Sequence, residues 1–237
     1  MRNKVGAKKL LITPNNPLTD IQFEELVPAV KVLPKWYKDI PPFLEGTPSH
    51  AIIMPESYTV NSTVKRCTPF LDGMTAGYTF VTSADIQVQK TTEGYPYIRW
   101  RENNDIVTTH TPNQHPGLVV PDGYNPMVFK WANEWQIETP AGYSLLCVHP
   151  VNRFDLPFQT ITGFVDTDKY HSPVQFPFFL KKDFFGIIPA GTPVAQLIPV
   201  KRDNWKLDVA KHDARKSSIL NHKWLKTIEK SYKTNFW

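Results

Sequence analysis

The stretch TGFVDTDKYHSPVQFPFFL, residues 162–180, sets a glycine, an apolar pair, two aspartates two apart, a tyrosine and a histidine ahead of an aromatic run. It reads as strand, hairpin, strand. In an extended segment Asp166 and Asp168 share a face, and an Asp-x-Asp pair at a turn bonds nearby backbone N–H groups. The pattern predicts that these two carboxylates mainly hold the turn. A metal is not required by it. If one binds, Asp166, Asp168 and His171 supply hard oxygens and an imidazole of the kind Mn²⁺, Fe²⁺ or Zn²⁺ accept.

Outward from this stretch, short β-branched and aromatic runs alternate with Pro and Gly from about residue 51 to 200. They are TVKRC, GYTFVTSADIQVQ, YPYIRWR, NDIVTTH, MVFKWANEWQIETP, YSLLCVHP, QTITGFVDTD, VQFPFFL, FFGIIP and PVAQLIPVKR. Spacing of roughly 8–15 residues between such runs predicts a sandwich, jelly roll or barrel. With 22 Pro but only 11 Gly in 237 residues, and 13% aromatics, the composition punctuates extended segments and disfavours long helices. Gly191 supplies a positive φ ahead of the strand that follows, and Gln196, polar in an apolar run, needs a hydrogen-bond partner if buried.

Different patterns flank this β region. Residues 1–50 read as a Pro-rich arm: Thr19 or Asp20 is an N-cap for a short helix running to Pro28. LPKWYKDIPP then adds a helical turn, with Trp36, Tyr37 and Phe43 available for packing. Residues 204–237 carry Ile219, Leu220, Trp224, Leu225 and Ile228 at spacings of three and four, which predicts a basic amphipathic helix. It would dock on its own body, on a partner subunit or on an acidic surface. The expected division is arm 1–50, β domain 51–203 and terminal helix 204–237.

Charge and cysteine content exclude several classes. Net charge is +5, but residues 201–237 hold ten Lys/Arg against four Asp/Glu, leaving 17 against 18 in the other 200. A body so close to neutral does not make a nucleic-acid groove. Cys67 and Cys147 lie 80 positions apart in separate apolar contexts, so no metal knuckle is expected and both read as buried, reduced thiols. The apolar run LLI near the N-terminus is shorter than a signal peptide requires. No run approaches the ~18 apolar residues of a membrane-spanning helix, so neither secretion nor a membrane partner is expected.

Four stretches, in order, resemble the motifs of trimeric dUTPases: AGYTFVTSAD (76–85), PAGYSLLCVHPVNR (140–153), TGFVDTDKY (162–170) and IIPAGTPVAQLIPV (187–200). The resemblance implies a β-clip, a distorted jelly roll that trimerises. In that family an aspartate of the third motif activates water, a tyrosine stacks under the sugar and Mg²⁺ sits on the triphosphate. Asp166 matches the aspartate, and Tyr170 stands one position late for the tyrosine. Thr79 replaces an Asp of the first motif. Pro150–Arg153 replaces an Arg-Ser-Ser triplet, although Arg153 remains able to reach an anion. The Gly-rich tail that covers phosphates is missing, as is the glutamate of the related dCTP deaminases. Phosphoryl chemistry depends on positioning and charge neutralisation, so these departures leave no triphosphate clamp. LPKWYKDIPP, TVKRCTPFLDGMTAGY, TPAGYSLLCVHPVNRFDLPF, GFVDTDKYHSPVQFPF and GIIPAGTPVAQLIPVKRDNW also resemble the running pattern of an uncharacterised protein family of tailed phages and bacteria.

Other constellations read mainly as structure. His110 and His115 sit in a Pro-containing loop that fixes no geometry. Lys65 and Arg66 make an anion site or guard an edge strand. Trp100, Trp131 and Trp135, near Arg99 and Lys130, are core or interface aromatics before they are stacking platforms. The expected function is a non-enzymatic phage structural or assembly protein of the virion, in head decoration or attachment. It would form a homo-oligomer, a trimer by the resemblance, in contact with other phage structural proteins, in the virion or the host cytoplasm. Two alternatives stay open: a divergent, metal-dependent dUTP or dNTP pyrophosphatase using Asp166, Asp168 and Mg²⁺, with Arg153 and Gln196 as binding groups, and a glycan- or host-binding module.

Overall fold

The structure, a computed structural model, describes residues 8–15, 26–46, 52–54, 57–59, 62–100, 106–110 and 112–226. In chain order its elements are β1 (Leu11–Pro14), β2 (Leu26–Pro28), α1 (Lys35–Asp39), β3 (Ile52–Met54), β4 (Ser57–Thr59), α2 (Thr68–Thr75), β5 (Tyr78–Val81), β6 (Ile86–Lys90), β7 (Pro96–Arg99), β8 (Val107–His110), β9 (Tyr124–Trp131), β10 (Trp135–Glu138), β11 (Tyr143–Val148), β12 (Phe158–Thr160), β13 (Gly163–Val165), β14 (Phe176–Lys181), β15 (Gly186–Ile188), β16 (Pro193–Lys201) and α3 (Ala214–Lys226). All strand pairings are antiparallel. The chain divides into two compact units, Met1–Val32 with Met74–Arg202, and Leu33–Gly73 with Asp203–Trp237.

The larger unit is mainly β. One sheet runs β13-β11-β16-β5-β2, a second β12-β14-β9-β8 and a third β15-β6-β7, with β1 paired to β10. All contribute to a single apolar core. β16 lies between β11 and β5, and its first five residues are buried without alternation, as a central strand covered on both faces requires. At the centre Trp131 stacks on Phe178 with centroids 4.0 Å apart and planes 9° from parallel. Phe129 and Phe158 close the cluster at 5.5 and 5.7 Å from Phe178. Rings in such offset and edge contacts carry much of the core's buried area.

Two glycines are fixed by geometry. Gly191 has φ +77°, as the turn before β16 demands, and its N–H donates to Thr82 O at 2.8 Å. Gly77 has φ +66°, and a Cβ there would fall 2.1 Å from Leu197 O, so only glycine lets β5 approach β16.

Several local expectations are corrected. TVKRC is not a strand: Thr63 Oγ1 accepts from Lys65 N at 3.2 Å, opening a 3₁₀ turn at Val64–Arg66 that leads into α2. The helix expected to end at Pro28 is absent from its last three residues, because Leu26–Pro28 pairs with β5. Proline, lacking an N–H, suits such an edge strand. The rest of that helix lies outside the described residues. The run 127–140 breaks at Asn133, which is buried and uses its amide to accept from Trp135 N and to donate to Trp135 O and Val174 O. The stretch 163–176 is not a hairpin. β13 pairs with β11 and β14 pairs with β12 and β9, so the chain crosses from one sheet to the other between them.

In the smaller unit α1 supplies the expected helical turn. Tyr37 is buried and stacks on Phe70 at 6.0 Å, with Trp36 edge-on to both. β3 pairs with β4. Residues 203–216 and 218–222 are exposed, including Ile219 and Leu220 of α3.

Candidate functional site

The turn after β13 is closed by backbone and not, as expected, by the aspartate side chains, which bond Ser144, Gly142 and Arg202. Asp166 O accepts from the N–H groups of Lys169 and Tyr170, each at 2.9 Å, which closes residues 166–170 into a tight loop. Thr167 is fully buried, its hydroxyl 2.8 Å from that of Thr139, so the apex is nailed to the body at its middle residue. With Thr167 pointing in, the two aspartates lean toward the start of β11.

There they meet Arg202, the first residue past β16. Its guanidinium grips Asp168 with two N–H groups, one at 2.8 Å from Oδ1 and the other on Oδ2. The same guanidinium reaches Ser144 Oγ at 2.8 Å, Tyr143 O at 3.0 Å and Asp166 Oδ1 at 3.1 Å. Ser144 Oγ donates to Asp166 Oδ1 at 2.6 Å, and Gly142 N donates to Asp168 Oδ2 at 2.8 Å. A two-pronged guanidinium–carboxylate pair is the strong and directional form of this bond. The Asp168 side chain is only 6% exposed, whereas that of Asp166 is 45% exposed.

The electrostatics follow the contacts. The hydrogen bonds from Arg202, with the Gly142 N–H and the positive charge nearby, hold the Asp168 carboxyl at about 2. The Ser144 hydroxyl, followed by the charge of Arg202, lowers that of Asp166. Both are therefore ionised and weakly basic. A carboxylate stabilised in this way is a poorer acceptor for a water proton than an ordinary one.

The other sequence-predicted groups lie elsewhere. Arg153 is held by Asp155 through two 2.9 Å bonds and reaches Val32 O at 3.4 Å. It ends a turn in which Asn152 takes φ +60°, and its carbonyl meets His149 Nε2 at 3.0 Å. Since Thr160 N donates to His149 Nδ1, that ring carries its proton on Nε2, and burial keeps its pKa low. Gln196 is buried, its Oε1 accepting from Val151 N at 3.0 Å and its Nε2 donating to Ala76 O at 2.7 Å. The amide has thus found the partners its burial demands. Tyr170 and His171 are exposed at the end of the turn.

The metal trio does not assemble. Asp168 turns into the Arg202 fork, and among the described residues no three His, Cys, Asp or Glu side chains are grouped to hold an ion. Thr79 is buried in β5 and offers a neutral hydroxyl where the resembled motif has a carboxylate. Lys65 directs its ammonium to Tyr37 O and Lys38 O at 2.8 and 3.1 Å, in a 3₁₀ turn and not on an edge strand. Trp131 and Trp135 are core residues, and Trp100 packs against the same core. Cys147 is buried and its thiol pushed up to about 12, while Cys67 is exposed, against expectation, at the junction of the 3₁₀ turn and α2. His110 Nδ1 and His115 Nε2 are buried atoms without a hydrogen-bond partner.

Sequence reasoning missed Arg202 and Ser144. The available signal was the pair Lys201-Arg202 closing an apolar strand, but nothing local says which carboxylate, 34 residues back in sequence, it meets.

No protein-family model matches the chain, and no curated protein matches it significantly. Among solved structures the chain is similar to the dUTPase of phage phi11 of Staphylococcus aureus, at 15% identity and a TM-score of 0.27. That match covers 54% of this chain and 98% of the other. It is also similar to the dUTPase of Staphylococcus bacteriophage 80alpha with dUpNHpp, at 13% identity and a TM-score of 0.26, over 54% and 89% of the two chains. These neighbours are phage dUTPases, the family whose motifs the sequence resembles, and the chain itself is mainly β. Likeness at this level carries no activity with it.

Proposed function

We propose that the chain is a non-enzymatic phage structural protein, a virion component in head decoration or attachment that assembles as a homo-oligomer, trimeric by its resemblance to dUTPases. One observation carries this reading: the carboxylate matching the catalytic aspartate of the resembled family shares its oxygen with Ser144 and Arg202 of its own chain. The neighbouring Asp168 is bound by the same arginine, and Arg153 by Asp155. Groups arranged in this way join β11, β13 and β16 into one rigid end of the sheet. Such an end suits a protein whose task is to keep its shape in contact with other phage structural proteins. Quantitative mass spectrometry of purified phage particles tests the role, with many copies per particle expected. Absence from particles, with the protein found in the host cytoplasm, contradicts it.

One observation favours a second reading. Asp166 is almost half exposed and ionised, so a divergent, Mg²⁺-dependent dUTP or dNTP pyrophosphatase would have a carboxylate within reach of water. Its base would be weak and its metal shell incomplete, which is why the structural role is preferred.

A further inference from the structure

The connection between β9 and β10 builds a second polar site. Asn133 turns inward, its amide taken up by Trp135 and Val174, and so fixes the connection. Asn15, just past β1, donates its N–H to Glu134 O at 2.9 Å, and Gln175, just before β14, donates through Nε2 to Asn133 O at 3.0 Å. Lys130 of β9 stands opposite Thr108 of β8, both on the face that alternates with the core residues Phe129 and Trp131. These residues, with Ala132 and Pro173, line a cleft of about 450 Å³, within the size range of small-molecule sites.

What the lining leaves open decides the ligand. Asn15 Oδ1 accepts from Gln136 Nε2 at 3.2 Å, so that amide is pinned while its Nδ2 is left to donate. Gln175 is pinned through Nε2, and its Oε1 is left to accept. Among the described residues the ammonium of Lys130, the carboxylate of Glu134 and the hydroxyl of Thr108 have no hydrogen-bond or ion-pair partner, although all three residues are partly buried. Withdrawing polar groups from water without pairing them costs free energy, which a ligand that pairs them offsets. One ammonium and one carboxylate leave the cleft without net charge, so a phosphate or a metal ion is opposed by one of them as it is drawn by the other. Ala132 and Pro173 alone add apolar surface, too little for a lipid chain. The lining suits a neutral compound that donates and accepts at several points, as neighbouring hydroxyls do.

We infer that this cleft binds a neutral saccharide, whose hydroxyls donate to Glu134 and Gln175 and accept from Lys130, Asn15 and Thr108. Two of these five groups are pinned before the sugar arrives, so less order is lost on binding than in a wholly mobile lining. The inference rests on the attachment form of the role proposed above and names the class of ligand that attachment would use.

A microarray of neutral and acidic oligosaccharides, followed by calorimetry on each hit with the full chain, tests it. Free amino acids and inorganic phosphate serve as rival probes in the calorimetry. At least one neutral oligosaccharide is expected to bind. Lys130→Ala and Glu134→Ala, neither in the core, should keep the melting temperature and each weaken that binding about tenfold or more, as the loss of a hydrogen bond to a charged group does. Lys182→Ala, outside the cleft, should leave it unchanged. No binding to any neutral member of the array, tighter binding of an amino acid or of phosphate, or saccharide binding that survives both cleft substitutions overturns the inference. Saccharide binding by a protein absent from phage particles would sink the virion role and leave the cleft standing. Many copies per particle with no saccharide bound would do the reverse.

Discussion

Arg202 touches the side chains of Asp166, Asp168 and Ser144 and the carbonyl of Tyr143, and that concentration of bonds makes it the residue on which the local structure turns. Its effect has a defined pH window. Asp168 titrates at about 2 in the folded chain, against an ordinary value of 3.8. A depressed carboxylate stabilises the fold above the ordinary value, and that contribution is lost as pH falls through the folded one. Melting temperature should therefore hold above pH 4 and drop between pH 4 and 2. Asp168→Asn should melt lower at neutral pH and flatten this drop, which melts at half-unit pH steps will read. An unchanged profile in the variant would show that another group governs acid stability.

At the scale of elements the strands were legible and their partners were not. β-branched and aromatic runs located β5 to β16 because a strand's side chains are selected residue by residue for a half-buried, pleated surface. Gly191 and Gln196 were legible for a similar reason, since a positive φ and a buried amide each leave one residue type as the answer. The crossing between sheets after β13 was not, because it depends on which edge each strand meets, and that is settled by long-range packing. TVKRC misled because the Thr63 hydroxyl reorganised a run whose composition favours extension. The aromatic cluster gives the element scale its prediction. Phe178 is fully buried against Trp131, Phe129 and Phe158, so Phe178→Ala should cost about 3–5 kcal/mol in denaturant unfolding at pH 7. A cost below about 1 kcal/mol would mean that the cluster is not the core described.

Across the larger unit, a mainly β body keeps its strand framework while the carboxylates and guanidinium at its end are bound to one another. In the sequence Asp166 and Asp168 read mainly as turn residues, with a catalytic match and a metal ligand as the alternative, and Arg153 as an anion donor, because residue type alone records what a group could do. Their partners, Arg202 and Asp155, decide what remains open to a ligand. Pyrophosphate release from a panel of deoxynucleoside triphosphates that includes dUTP, with Mg²⁺ present, tests this central claim most directly. The account predicts no release above the enzyme-free rate from the wild type. Release from any member of the panel that is abolished by Asp166→Asn would contradict it.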